Sequence, residues 1–243
     1  MGYYFDFHLH SCLSPCGDND MTPYNMANMA ALAGYQIIAL SDHNTTKNCP
    51  AIIKAAEAAG IVAIPAMELT TMEEVHVLCL LPDLTAAREL DAIVYEHLPD
   101  ISNDPEIFGH QWVMDDADNI LAEEAKLLTS ATSIGLYDVA ALLRSLGGIA
   151  IPAHIDRPSF SLIANLGFYD EAMGFEAVEI TRQCDKKIFM SEHPELKQMP
   201  YIIDSDAHDL IAIPDARYSL ALSDLTAEAV INAVAKGELL GRL

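Results

Sequence analysis

Along most of the chain, short apolar runs alternate with longer stretches whose apolar residues recur every three to four positions. The first run, Tyr3-Tyr4-Phe5-Asp6-Phe7-His8-Leu9-His10, is aromatic and apolar enough to predict a strand. Its period of two puts His8 and His10 on one face. Residues 36–41, 61–66, 75–81, 149–153, 177–180 and 201–204 are further apolar runs that predict buried strands. Thr22 before Pro23 is a helix cap followed by proline at the first helical position. The helix it opens runs through Met26, Ala27, Met29, Ala30 and Leu32 and stops at Gly34. Helical repeats also cover about 50–59, 85–97, 136–146 and 226–236.

Strand followed by helix followed by strand predicts parallel strands joined by right-handed crossovers. About seven such units in 243 residues predict an α/β fold of one domain over 1–243, and favour a closed or nearly closed barrel over an open doubly wound sheet. Strand interiors are apolar and polar residues fall at strand ends, so the chemistry belongs at the C-terminal rim. Residues 98–133 fit the alternation least. There, Trp112-Val113-Met114 and Asn119-Ile120-Leu121 flank the acidic turn 115–118, as a hairpin or a helical excursion inserted into the barrel.

Composition narrows the function classes. Thirteen Lys and Arg against 36 Asp and Glu give a formal net charge of −23, which repels phosphate backbones and argues against long nucleic-acid partners. No run of about 18 apolar residues predicts a membrane span, and the N-terminus lacks the basic start of a secretory signal. The five scattered cysteines fit reduced thiols, so a cytoplasmic protein is expected. Cys12 and Cys16 lie near the histidine pair, but no second cysteine pair follows; both read as small loop residues.

Six of the nine histidines, His8, His10, His43, His76, His154 and His208, sit at or beside predicted strand ends, together with Asp18, Asp42, Glu68 and Asp206. A single histidine in such a place is ordinarily a core or surface residue. Six on the same end of successive strands point to a metal site. A carboxylate such as Glu68 can bridge two cations, which one imidazole nitrogen cannot do. Mixed imidazole and carboxylate donors suit Zn, Mn or Fe. Arg157 and Arg182 follow strand ends and are candidates for gripping a substrate phosphate, with ion pairing to a carboxylate as the alternative. Lys186 and Lys187 read as solvated, and His97, His110 and His193 as structural.

Phe-Asp-Phe-His8-Leu-His10-Ser, Ser41-Asp42-His43-Asn44, Met67-Glu68, Val75-His76-Val77, Pro152-Ala153-His154 and Ser205-Asp206-Ala207-His208 resemble the successive motifs of the PHP (polymerase and histidinol phosphatase) family. The resemblance runs in order from about residue 3 to 215. It implies a distorted (β/α)7 barrel, two or three divalent metal ions and phosphoester hydrolysis. Carried over residue by residue, one ion takes His8, His10, Glu68 and Asp206. A second shares Glu68 and adds His76 and His154, and a third takes Asp18, His43 and His208, with Asp20 as the rival of Asp18. Glu68 and Asp206 are then the catalytic carboxylates. Asp6 and Asp42 stand behind the ligands, accepting imidazole N–H groups or else satisfying backbone donors. The expected activity is hydrolysis of a small phosphate ester, as phosphatase or phosphodiesterase, by a metal-activated hydroxide. The alternatives are nuclease-like hydrolysis of nucleotides or oligonucleotides, a non-catalytic metal-binding regulatory module, and an amidohydrolase-like reaction.

Overall fold

A computed structural model describes residues 2–240. In chain order the elements are β1 (Gly2–Leu9), α1 (Pro23–Leu32), β2 (Ile37–Leu40), α2 (Cys49–Ala59), β3 (Val62–Thr70), β4 (His76–Leu80) and α3 (Leu84–His97). Then come α4 (Pro105–Phe108), β5 (Trp112–Met114), β6 (Ile120–Glu123), α5 (Leu136–Ser145), β7 (Ile149–Pro152), α6 (Leu162–Leu166) and β8 (Val178–Thr181). The last are α7 (Lys186–Glu192), β9 (Tyr201–Asp204), β10 (Ser219–Ala221), α8 (Ala227–Ala235) and β11 (Leu239–Leu240). Thr22 caps α1 as its sequence predicts, its side chain accepting from the Asn25 amide. No helix of the described residues is long and apolar enough to cross a membrane.

One sheet runs β11-β10-β1-β2-β3-β4-β7, and β8 pairs with β9 separately. Backbone contacts close the circle. The Ile155 amide donates to the Glu179 carbonyl at 2.9 Å and the His10 amide to the Ala207 carbonyl at 3.1 Å. Phe5, Phe7, Ile37, Ile64, Ile151 and Ile202 fill the middle, completing a distorted TIM-like barrel. Outside it, α1 and α2 bury Met26, Ala27 and Ile52 against Leu9 and Ile38, while α3 and α5 bury Leu90, Val94, Val139 and Leu143.

Two departures from an all-parallel barrel place the functional residues. First, β4 runs antiparallel to both β3 and β7. Only residues 71–75 join β3 to β4, far fewer than the dozen a parallel crossover needs. The reversal puts His76, the first residue of β4, opposite Thr70 at the end of β3. His76 therefore reaches the same mouth as the residues at the C-terminal ends of the parallel strands. β10 and β11 are antiparallel as well, extending the sheet beyond β1.

Second, β1 is irregular between Asp6, which pairs with Ile38, and Leu9, which pairs with Leu40. A regular strand would keep Phe5, Phe7 and Leu9 on one face. Here Phe5 and Phe7 lie in the barrel core, but Leu9 packs in the outer layer. The slip turns His8 and His10 inward above Phe7.

Residues 98–133 contain the short helix α4, capped by Asp104, and the hairpin β5–β6. The hairpin is tied down by Asn48, which donates to the Trp112 carbonyl at 3.1 Å and accepts from the Met114 amide at 2.8 Å. The Trp112 amide donates to the Cys12 carbonyl at 3.1 Å, so the insertion braces the loop that follows β1. That loop is tight: a Cβ on Gly17 would collide with the Ser11 carbonyl.

Candidate metal centre

Glu68 is the hub of the barrel mouth. Its Oε1 lies 3.1 Å from His8 Nε2, 3.0 Å from His76 Nδ1 and 3.1 Å from His154 Nε2. Its Oε2 lies 3.3 Å from His10 Nε2 and 3.0 Å from His43 Nδ1. Five imidazoles from four segments thus face one carboxylate, split between its two oxygens. Local backbone pairing enforces this. The Glu68 amide donates to the Asp42 carbonyl at 3.1 Å and the Asn44 amide to the Glu68 carbonyl at 2.9 Å, locking His43 beside Glu68.

Asp206 is the second hub. Its Oδ1 lies 3.3 Å from His8 Nε2, 3.1 Å from His10 Nε2 and 3.2 Å from His208 Nε2. Its Oδ2 is held by Arg157 at 2.5 Å. The His10 and His208 rings stack with centroids 4.3 Å apart. His154 and Asp206 both sit at positive φ, +32° and +52°. Such backbone is costly for residues with a Cβ and gathers at functional sites.

The donor set fits divalent metal ions. Although each of these atoms stands within 3.3 Å of another of the set, His8 Nε2, His10 Nε2, His43 Nδ1, Glu68 Oε2 and Asp206 Oδ1 are buried and have no hydrogen-bond partner. Buried polar groups left so are rare in proteins. Here they converge on shared points instead of on one another. Three triplets have ligand atoms mutually within 4.8 Å: His8, His10 and Glu68; His10, Asp206 and His208; and His43, Glu68 and His76. The first and third share Glu68, the first and second share His10.

The groups behind the ligands differ from expectation. Neither Asp6 nor Asp42 touches an imidazole. Asp6 accepts from the backbone amides of His8 and Ser205, at 3.3 and 3.2 Å. Asp42 accepts from the Ser11 amide, the Ser11 hydroxyl and the Ser14 hydroxyl, each at 2.7 Å. Ser14 in turn meets His10 Nδ1 at 3.1 Å and accepts from the His43 amide at 3.1 Å, so Asp42 acts on the histidines through Ser14. The residue that grips His8 is Glu179, whose oxygens lie 2.9 and 3.1 Å from His8 Nδ1. Glu179 also accepts from the His154 amide at 3.1 Å. The signal for it in the sequence was a glutamate inside a four-residue strand that is otherwise apolar or β-branched.

Charges within the cluster are mutually sustained. Burial opposes ionisation of Glu68, but His76, His8 and His43 hold its carboxyl well below the usual range. Burial likewise opposes the Asp206 anion, and His8, His10 and His208 overcome it. Against its own burial, His8 is held well above its ordinary value by Glu179, Asp206 and Glu68. His43 reaches about 10 and His208 about 9, burial again opposing and Glu68, Asp206 and Cys16 supplying the rise. For His76, burial prevails and the pKa is lowered despite Glu68.

Other predicted residues lie elsewhere. Asp18 is exposed, and its carboxylate accepts from the Asp20 amide at 3.1 Å; neither aspartate joins a triplet. The loop instead presents Cys16, read above as a plain loop residue, to the outer histidines. Desolvation of its thiol raises the pKa, but His208 and His43 draw it down to about 5. Cys12 is a buried loop residue, its thiol pushed up to about 12 by burial and Asp42. Arg157 belongs to the centre through Asp206, whereas Arg182 lines a separate cavity on the other side of β8. His97 and His110 hydrogen-bond locally, to Ile93 and Glu123, and His193 lies 3.6 Å from the Glu195 carboxylate.

Comparison with known proteins accords with this arrangement. Endonuclease Q from Pyrococcus furiosus, a lesion-specific endonuclease, superposes with a TM-score of 0.74 at 20% identity, over 97% of this chain and 56% of its own. An endonuclease Q solved with a 27-mer duplex bearing an abasic lesion at its active site gives a TM-score of 0.72 at 20% identity, covering 97% and 57%. The chain thus spans a little over half the length of these enzymes. A Bifidobacterium adolescentis protein assigned as a metal-dependent phosphoesterase gives a TM-score of 0.61 at 17% identity, with 96% of both chains covered. No curated protein sequence matches. Residues 6–141 match the PHP domain, a span that includes His8, His10, His43, Glu68 and His76, and the chain therefore belongs to the PHP domain family.

Proposed function

We propose that this protein hydrolyses the phosphate ester of a small organic molecule at the mouth of the barrel. The observation that carries the reading is Glu68, whose Oε1 faces His8, His76 and His154 and whose Oε2 faces His10 and His43. Glu68 could serve two divalent ions, one drawing also on His8, His10 and Asp206 and the other on His76 and His154. His43 and His208 would serve a third ion, with the loop that carries Cys16 and Asp18 beside them. Zn, Mn and Fe all suit such donors. When bound, the ions supply Lewis acidity, neutralise phosphoryl charge and lower the pKa of water at the site.

The chain's own groups do the rest. Arg157 is partly exposed at the rim and can turn its remaining guanidinium donors to a phosphoryl oxygen, a geometry that suits planar forked recognition. Asp206, anchored by Arg157, presents its other oxygen toward the centre to orient the attacking water. Glu179 and Ser14 hold His8 and His10 in place, so the ligands are preorganised before substrate arrives.

A second reading, hydrolysis of nucleic acid at a lesion or an end, is favoured by likeness to endonuclease Q over 97% of the chain. The net charge of −23 weighs against long duplexes. Turnover of p-nitrophenyl phosphate, bis(p-nitrophenyl) phosphate and an abasic duplex, each with added Mn or Zn and with chelator, tests the choice. Chelator-sensitive release from a nitrophenyl ester without cleavage of the duplex supports the small-ester reading. The reverse pattern overturns it.

A further inference from the structure

Five of the 13 basic residues in this acidic chain converge away from the metal centre. Arg182, Lys186, Lys187, Lys197 and Arg217 line a cavity of about 840 Å3. Its place follows from strand alternation. Glu179 turns inward to His8, so the next residue, Ile180, faces out, and its register partner Ile203 does the same. The two isoleucines form the floor, α7 one wall, and Tyr218 and Arg217 line it as well.

Among the described residues, none of the five has a carboxylate oxygen within 4.0 Å, whereas Lys47, Lys54 and Arg157 each do. With 36 acidic residues in the chain, pairing each cation would be easy. The one acidic lining residue, Asp185, is turned to its own helix, accepting from the Ile188 amide at 3.0 Å. Lys186 lies over the Tyr201 ring at 3.6 Å and is held by protein on that side, not freely solvated as the sequence suggested. Gathered unpaired cations repel one another, and an anion entering the cavity relieves that repulsion. The volume falls within the range of about 300–1,000 Å3 typical of small-molecule sites, and the floor is apolar. A duplex would require an extended basic stripe, which this cluster around one cavity is not.

We propose that the cavity binds a nucleotide-sized organic phosphate, its charged groups among the lysines and arginines and its apolar or aromatic body against Ile180, Ile203 and Tyr218. The proposal does not rest on the hydrolytic reading, and its test leaves the metal centre empty. Chelator-treated protein is titrated with adenosine 5′-diphosphate by calorimetry at low and high salt. Saturable one-site binding is expected, weakening as salt rises. The double variant Lys197→Glu with Arg217→Glu should weaken it at least tenfold, near-UV circular dichroism confirming the fold, while His8→Ala leaves it unchanged. Inorganic phosphate should bind at least tenfold more weakly than the nucleotide. Absence of saturable binding, retention of affinity in the double variant, loss of it in His8→Ala, or equal affinity for inorganic phosphate would each overturn the proposal.

Discussion

Both oxygens of Glu179 close on His8 Nδ1, at 2.9 and 3.1 Å, across 171 residues of sequence. The contact holds a proton on Nδ1 and leaves Nε2 as the nitrogen that can lose its proton to a cation beside Glu68 and Asp206.

Replacing that grip tests its role in positioning. Glu179→Gln keeps an acceptor and the volume but removes the charge facing His8. Metal affinity and kcat/KM should both fall about 10- to 100-fold with the fold intact, checked by metal titration and ester hydrolysis. An unaltered metal affinity would show that His8 needs no such partner.

Glu68 should be indispensable. Glu68→Ala removes the one group that five imidazoles face. Hydrolysis should drop by at least about 10³-fold, while circular dichroism shows an unchanged secondary structure. A variant retaining a tenth of wild-type turnover would move the chemistry elsewhere.

Metal loading should release protons. His43 and His208, at about 10 and about 9, are cations at neutral pH in the metal-free chain, and ligation requires the neutral imidazole. Calorimetric titration with Zn in buffers of different ionisation enthalpy should show net proton release at pH 7, shrinking by pH 10. The same raised values stabilise the metal-free fold fully below about pH 6.5, and that contribution is lost as pH rises through 9 and 10. The Tm of metal-free protein should therefore decline from pH 7 to pH 10 more steeply than that of metal-loaded protein; parallel profiles would contradict the assignment.

Asp6 and Asp204 carry the opposite sign. Burial pushes Asp6 up to about 6, and burial together with Asp6 and Glu179 pushes Asp204 well above the carboxylate range. Carboxyls raised in this way bind protons in the folded state that the unfolded chain has released, so stability falls as pH climbs from about 4 past 6. Asp204→Asn retains the oxygen that accepts from the Phe7 amide at 2.8 Å and removes one charge. It should stabilise the protein by about 1–3 kcal/mol at pH 8 and by nearly nothing at pH 4, as read from urea unfolding. Destabilisation at pH 8 would mean that the charge itself is needed.

Much of the site was legible because its residues announce themselves locally. His8 and His10 share a face by period two, Glu68 interrupts an apolar strand, and the strands and helices repeat in a rhythm that suits a barrel. Thr22 and Pro23 marked the start of α1 correctly. The direction of β4 was not read from the sequence, where the alternation suggested parallel strands throughout; the structure leaves only residues 71–75 between β3 and β4, too few for a crossover. Short elements such as α6, α7, β10 and β11 escaped because a few residues carry no measurable period.

Residue types and their spacing by themselves determined which side chains are fit to hold cations and which segments carry them, since donor chemistry and strand alternation are local properties. Tertiary closure decided which of them meet. It placed Glu179 under His8, set Cys16 rather than Asp18 against His43 and His208, and sent Arg182 to the outer side of β8. Those pairings join residues far apart in the chain, and the physical reason is that an inward or outward face has no partner until the sheet curls and the ring shuts.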